Sequence, residues 1–214
     1  MTEFDPSPSP SASPHIDLNG VALIKGHLDR AAQEAMVGDV REIARAAPFQ
    51  RYVTAWGKPM TVRMTAAGRL GWIIERGRYR YADRHPEGGA WPPIPPSILA
   101  VWRALSGWPE DPDCCLVNFY GEGARMGLHQ DKDEGEFEAP VLSISLGDPA
   151  LFRVGGLERK GKTASAMLES GDVALLSGAS RLAYHGVDRI RFKGSTLLPE
   201  GGRINLTLRV VKGG

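Results

Sequence analysis

The sequence predicts an α+β fold whose core is a double-stranded β-helix, or jelly roll. Helical patterns and β-like runs share the front half of the chain, and the 26 glycines and 16 prolines among 214 residues fit a β-rich domain with many turns. After Cys114 the chain breaks into about eight short β-like runs separated by Gly, Pro and Asp, which is typical of a double-sheet jelly roll.

Three regions follow from these patterns. Residues 1–14 are rich in Ser and Pro and are expected to form a disordered tail. Residues 15–110 are expected to form an N-terminal extension with helices. Residues 111–214 are expected to form the jelly-roll core, in one compact unit with the extension.

The extension begins with a weakly alternating segment, Ile16 to Leu23, which predicts a first strand. Apolar residues at helical spacing predict a helix from about Leu28 to Ala46, and Pro48 ends it. A second helix is predicted from Pro96 to about Leu105.

The composition bounds the class of protein. An apolar content of 42% and a charged content of 24% are those of a soluble globular protein. The net charge of +1 argues neither for nor against a nucleic-acid partner. The adjacent Cys114 and Cys115 offer no disulfide framework, which favours a reducing compartment, so a cytoplasmic protein is expected. The sequence contains neither a long apolar run nor a secretory signal, so we expect no membrane association, and we expect a monomer.

The segment from Val62 to Arg84 combines β-like runs with an excess of positive charge. It holds six arginines, opposed only by Glu75 and Asp83. Aromatic residues are interleaved with them, namely Trp72, Tyr79 and Tyr81. A solvated hairpin face explains this pattern, and a stacking platform with phosphate contacts explains it equally well.

A candidate metal site lies in the core. His129 and Asp131 are two residues apart in a run that predicts a strand, so their side chains share one face. His185 is the best candidate for a third ligand, although a histidine at that position would also fit the hydrophobic core. Two histidines and one carboxylate on one side of a metal are the ligand set of non-haem Fe(II) oxygenases.

The final predicted strand alternates strictly in polarity. Arg203, Asn205 and Arg209 share one face, as they would in an ordinary half-buried strand. Because arginine binds carboxylates through a two-pronged fork, the two arginines could instead hold both ends of a small dicarboxylate beside the metal. Asn118 and Tyr120 share a face of an earlier strand and would add hydrogen bonds.

Several motifs occur in a fixed order along the chain: Asn118–Tyr120, Leu128–Glu134, Ser143–Gly147, Phe152–Arg159, Gly171–Val173, Arg181–Gly186 and Arg203–Arg209. Together they resemble the AlkB family of Fe(II)/2-oxoglutarate-dependent dioxygenases, which repair alkylated nucleic acids, and most of all its bacterial members. Leu70–Trp72 and Tyr79–Tyr81 resemble the nucleotide-recognition lid of that family, a β-hairpin region placed at about residues 50–84.

The resemblance implies a role for each matching residue and three cofactors: Fe(II), 2-oxoglutarate and O2. The iron ligands would be His129, Asp131 and His185. The 2-oxoglutarate ligands would be Arg203 and Arg209, assisted by Asn118, Tyr120 and Asn205. The contacts to the substrate would come from Trp72, Tyr79, Arg80, Tyr81, Asp133 and Arg159.

The implied activity is oxidative demethylation of N-alkylated bases, 1-methyladenine and 3-methylcytosine, in single-stranded DNA, with RNA as a second substrate. A carboxylate such as Asp133 suits these bases because they carry positive charge. The alternatives are that Asp133 is a solvated turn residue, Trp72 a core residue and Arg159 a surface arginine. For the whole protein, the alternatives are an oxygenase of the same scaffold acting on a protein or a small molecule, and a non-catalytic nucleic-acid-binding module.

Overall fold

A computed structural model describes residues 15–54 and 57–211, so the predicted tail at 1–14 lies outside the described residues. The helices are α1 (Arg30–Ala46) and α2 (Pro96–Leu105). The strands are β1 (His15–Leu18), β2 (Val21–Ile24), β3 (Val62–Gly68), β4 (Gly71–Glu75), β5 (Arg78–Ala82), β6 (Cys114–Tyr120), β7 (Met126–His129), β8 (Val141–Gly147), β9 (Ala150–Val154), β10 (Ala164–Leu168), β11 (Val173–Leu176), β12 (His185–Ile190) and β13 (Arg203–Arg209).

Two antiparallel sheets form the jelly roll, as predicted. The major sheet has the order β1-β2-β11-β8-β13-β6-β3, and the minor sheet has the order β10-β9-β12-β7. Apolar side chains from both sheets form a common core, among them Leu116 and Val141 of the major sheet and Phe152 and Val187 of the minor sheet. The predicted site residues lie beside this core, where a cavity opens between the two sheets.

The front half of the chain contributes strands to the same major sheet as the core. β3 pairs with β6 along its whole length, and β2 pairs with β11. The prediction of one strand over Ile16–Leu23 is wrong, because the chain reverses there between β1 and β2. Asn19 and Gly20 both have positive φ at this reversal (52° and 83°), which is the backbone that an Asn-Gly hairpin turn requires.

The two predicted helices cover the outer face of the major sheet. The Asp29 side chain caps α1 by accepting a hydrogen bond from the backbone N–H of Ala32 at 2.8 Å, so the helix begins two residues later than predicted. Trp102 of α2 belongs to the same buried apolar cluster as Leu206 and Leu208 of β13. The apolar face of β13 is thus buried on the helix side of the sheet. Because side chains alternate along a strand, the polar face of β13 is directed to the interior of the jelly roll. No helix among the described residues is long and apolar enough to cross a membrane.

β4 and β5 form a separate two-stranded hairpin, here called the β4–β5 hairpin, beside the jelly roll. It is smaller than the lid predicted at about 50–84, because β3 belongs to the major sheet. Trp91 fixes its base: the indole Nε1 donates to the carbonyl of Ala82 at 2.8 Å, and a Cβ on Gly71 would lie only 2.2 Å from the same ring.

Candidate active site

A cavity of about 420 Å³ opens between the two sheets. Most of the predicted site residues line it: Trp72, Tyr79, Asn118, Tyr120, His129, Asp131, Asp133, Arg159, His185, Arg203, Asn205 and Arg209. Arg80 and Tyr81 are absent from its wall.

The three predicted metal ligands meet at the inner part of this cavity. His129, the last residue of β7, pairs directly with His185, the first residue of β12. The Nε2 atoms of both rings lie 3.7 Å from carboxylate oxygens of Asp131, and the ring centroids are 4.5 Å apart. The prediction that Asp131 continues the strand of His129 is wrong. β7 ends at His129, and Asp131 reaches the site from the loop that follows.

Backbone hydrogen bonds orient both imidazoles. The Nδ1 atom of His129 lies 2.9 Å from the carbonyl oxygen of Gly127, and that of His185 lies 2.9 Å from the carbonyl oxygen of Ala183. If each Nδ1–H donates to its carbonyl, the Nε2 lone pair is free to bind a metal. Burial lowers the pKa of His185 to about 4, so this ring is neutral at physiological pH, as a ligand must be.

The Asp131 carboxylate is buried, and its Oδ2 atom accepts no hydrogen bond. Its Oδ1 atom accepts one from Arg209 Nη2 at 2.8 Å. Burial by itself would raise the pKa of Asp131, but Arg209 and the two histidines outweigh it and hold that pKa well below its ordinary value. The donor-free Oδ2 lies 3.7 Å from His185 Nε2, and Oδ1 lies 3.7 Å from His129 Nε2. An ionised carboxylate beside two imidazole nitrogens fits a divalent cation, so the three residues suit Fe(II).

A second polar group lies beside the metal ligands, on β13 and β6. The guanidinium groups of Arg203 and Arg209 are buried, and the Nε atom of each lacks a hydrogen-bond partner. The buried Oδ1 atom of Asn118 also lacks one, while its Nδ2 donates to Asn205 at 3.3 Å. Burial lowers the pKa of Arg203 to about 10, which still leaves the group charged at neutral pH. Two buried cations with unused donors fit a small dicarboxylate.

The entrance of the cavity carries the predicted substrate residues. Trp72 stacks on Tyr79, with ring centroids 5.3 Å apart and an angle of 21° between the planes. The Trp72 Nε1 donates to Asp133 Oδ2 at 2.9 Å. Tyr79 is 47% exposed, so its ring is open to a ligand arriving from solvent. Arg159 lines the same cavity.

Arg80 and Tyr81 do not join this group. The Arg80 side chain is exposed and pairs with Glu75 at 3.0 Å. The Tyr81 hydroxyl turns towards the interior, where it donates to Glu134 Oε1 at 2.5 Å and accepts from Arg209 Nη1 at 2.9 Å. The Tyr81 hydroxyl is therefore hydrogen-bonded within the protein, and the substrate contacts expected of Arg80 and Tyr81 remain predictions.

Sequence reasoning missed Glu134 and Arg181 as individual residues. The Glu134 side chain is fully buried, and its Oε2 lies 3.4 Å from Arg181 Nη2. Arg181 also donates to the backbone carbonyl of Asp131 at 2.8 Å and so fixes the loop that carries this ligand. Both residues occur in the motifs quoted above, but a buried charge is recognisable only once its distant partner is known.

The fold and the site define the chain as a dioxygenase of the 2-oxoglutarate-dependent Fe(II) class. The family model described as "2OG-Fe(II) oxygenase superfamily" matches residues 20–209. The "Alpha-ketoglutarate-dependent dioxygenase AlkB homolog" of Caulobacter vibrioides is 55% identical over 199 residues, which are 92% of this chain and 90% of the relative. The chain belongs to the AlkB family within this superfamily, and its cofactors are Fe(II), 2-oxoglutarate and O2.

Two further comparisons agree with this assignment. The "Alpha-ketoglutarate-dependent dioxygenase AlkB" of Escherichia coli is 40% identical over 183 residues, which are 83% of this chain and 84% of that protein. The solved structure of OsALKBH1 has a TM-score of 0.79 at 32% identity and covers 92% of this chain and 100% of its own. Fold, site and sequence thus point to one family.

Proposed function

We propose that the protein removes N-alkyl groups from bases such as 1-methyladenine and 3-methylcytosine in single-stranded DNA, with RNA as a second substrate. This is repair by direct reversal, because the original base is restored. The observation that carries the proposal is one cavity with the His129–Asp131–His185 ligand set inside and an aromatic pair with a carboxylate at its entrance.

The inner residues prepare the oxidation. We assign the iron to His129, Asp131 and His185. We assign one carboxylate of 2-oxoglutarate to Arg203 and the other to Arg209, with hydrogen bonds from Asn118, Tyr120 and Asn205. When bound, these cofactors supply a reaction in which O2 converts 2-oxoglutarate to succinate and CO2 and one oxygen atom enters the N-alkyl group. The hydroxymethyl base that results from an N-methyl group releases formaldehyde.

The outer residues select the base. The target N-methyl group lies on the base-pairing edge, so the base must leave the stack or arrive in a single strand. The Trp72–Tyr79 pair offers an aromatic surface for this base, and the Asp133 carboxylate favours a base that carries positive charge. Arg76 and Arg78 of the hairpin region and Arg159 are exposed. We assign to these three arginines the contacts with the phosphates of the nucleic acid.

Two further features belong to this proposal. We infer a cytoplasmic protein, because Cys114 and Cys115 are free thiols in the structure. We infer that the protein acts as a monomer, because one chain supplies the whole set of proposed ligands.

The test is formaldehyde release in the presence of iron, ascorbate and 2-oxoglutarate, measured on methylated DNA, methylated RNA and unmodified controls. The wild-type protein is expected to release formaldehyde from 3-methylcytosine DNA, and the His129→Ala variant is expected to release none. Turnover of 2-oxoglutarate without any nucleic-acid binding at low salt would instead indicate a protein or small-molecule substrate. Failure to decarboxylate 2-oxoglutarate would indicate a non-catalytic module.

A further inference from the structure

The β4–β5 hairpin carries three aromatic residues on one of its faces. Trp72 pairs with Tyr81 and Ile74 pairs with Tyr79 across the hairpin, so Trp72, Tyr79 and Tyr81 lie on the same side. Trp72 and Tyr79 line the entrance of the cavity. Tyr81 lies nearer the base of the hairpin and reaches behind the cavity wall, so one strand presents one tyrosine to the substrate side and another to the interior.

The Tyr81 hydroxyl belongs to a buried hydrogen-bond network with charged groups. It accepts from Arg209 Nη1 at 2.9 Å and donates to Glu134 Oε1 at 2.5 Å, and the same Arg209 atom lies 3.2 Å from Glu134. The other terminal nitrogen of Arg209 binds Asp131 at 2.8 Å. Three groups therefore fix the orientation of this guanidinium: one metal ligand, one buried glutamate and one residue of the hairpin.

We propose that Tyr81 is a positioning residue that links the seating of the β4–β5 hairpin to the binding of 2-oxoglutarate at Arg209. The proposal rests on the assignment of Arg209 to 2-oxoglutarate made above. Tyr81 would have this role in addition to the substrate binding expected of it from the sequence.

The link between the hairpin and Arg209 follows from the hydrogen bonds that the Tyr81 hydroxyl makes in the seated hairpin. When the hairpin is seated, Arg209 Nη1 has the Tyr81 oxygen as an acceptor, and Glu134 has the Tyr81 hydroxyl as a donor. When the hairpin lifts, both groups lose that partner, and the guanidinium is held by the carboxylates alone. A ligand that needs Arg209 in its present orientation therefore binds the seated state more tightly. Linkage is reciprocal, so bound 2-oxoglutarate stabilises the seated hairpin and a base held at Trp72 strengthens 2-oxoglutarate binding.

The first experiment needs no nucleic acid. Hydrogen exchange of the backbone amides of residues 78–82 is measured in the protein loaded with Mn(II), with and without 2-oxoglutarate. In the wild type, 2-oxoglutarate is expected to slow exchange in these residues. In Tyr81→Phe, which keeps the ring and removes only the hydroxyl, the effect is expected to disappear. Tyr52→Phe is the matched control, because Tyr52 also touches Trp72, edge to face with centroids 6.0 Å apart, but lies outside the Arg209 network.

The second experiment measures the Kd of 2-oxoglutarate by calorimetry on the same Mn(II)-loaded proteins, with and without a single-stranded oligonucleotide containing 3-methylcytosine. The oligonucleotide is expected to lower this Kd about fivefold or more in the wild type and in Tyr52→Phe, and to leave it unchanged in Tyr81→Phe. Equal behaviour of Tyr81→Phe and wild type in the exchange experiment overturns the link. An oligonucleotide that fails to bind contradicts the proposed substrate instead, and the exchange experiment still decides the link.

Discussion

His129 and His185 face each other across neighbouring antiparallel strands, with their ring centroids 4.5 Å apart. The spacing of β7 and β12 therefore sets the spacing of the two imidazoles. Gly186, the residue after His185, allows the strands to approach this closely: a Cβ there would lie 2.6 Å from the carbonyl oxygen of Met126 and 2.9 Å from the carbonyl carbon of Gly127.

Gly186→Ala is expected to weaken metal binding about tenfold or more, because the added methyl group must push β7 away from β12 and separate the two histidines. Calorimetric titration with Mn(II) measures this, and circular dichroism checks that the variant is folded. Gly156→Ala is the matched control, since a Cβ at Gly156 meets no atom within 4 Å. An unchanged metal affinity in folded Gly186→Ala would show that the strand spacing does not determine the site.

Asp133→Asn is expected to reduce kcat/KM for cationic lesions about tenfold, while neutral methylated bases lose much less. The amide keeps an oxygen that can accept the hydrogen bond from Trp72 Nε1, so only the charge is removed. Formaldehyde release from oligonucleotides containing 3-methylcytosine or 3-methylthymine measures the difference. An equal loss on both lesions would rule out recognition by charge.

Glu134→Gln is expected to lower the free energy of unfolding by about 3 kcal/mol, because it removes the charge that balances two buried arginines. The Glu134 side chain is fully buried, and both Arg181 and Arg209 lie within 4 Å of its oxygens. Denaturant unfolding of the metal-free protein measures the change. Glu138→Gln, at an exposed position in the same loop, should stay within about 0.5 kcal/mol of the wild type. A loss below 1 kcal/mol in Glu134→Gln, as small as that of a surface substitution, would contradict the role of this charge.

Cys114 and Cys115 are expected to resist alkylation in the folded protein at pH 8. Burial raises the pKa of Cys114 to about 12 and holds the pKa of Cys115 well above its ordinary value. The reactive thiolate of Cys114 is thus roughly one part in ten thousand at pH 8, and the side chain is also shielded. Intact-mass measurement after iodoacetamide treatment is expected to show no label under native conditions and two labels in guanidinium chloride. Rapid native labelling would show that β6 opens readily.

Much of this architecture is predictable from local patterns. The helix at Pro96–Leu105 appears with its predicted limits, and the chain from Cys114 onward forms eight strands, as predicted. These elements follow from apolar periodicity and from Gly and Pro at the turns, both of which act over a few residues. The pairing of β1, β2 and β3 with the major sheet was not predicted, since nothing local to a strand specifies a neighbour far along the chain.

The sequence by itself determined the chemistry of the site. The residue types at His129, Asp131, His185, Arg203 and Arg209 limit the ligands that they can bind, whereas the fold brings these residues around one cavity. The sequence also determined that the polar face of β13 exists, because alternation along a strand is a property of the backbone.

Only the tertiary structure decided which partner each side chain meets. It turned the Tyr81 hydroxyl inward to Arg209, left Arg80 in solvent and buried Glu134 between two arginines. The physical reason is that a hydrogen bond requires its donor and acceptor atoms to lie within about 3 Å of each other. Residues 81, 134 and 209 reach that distance only after three separate segments of the chain have packed together.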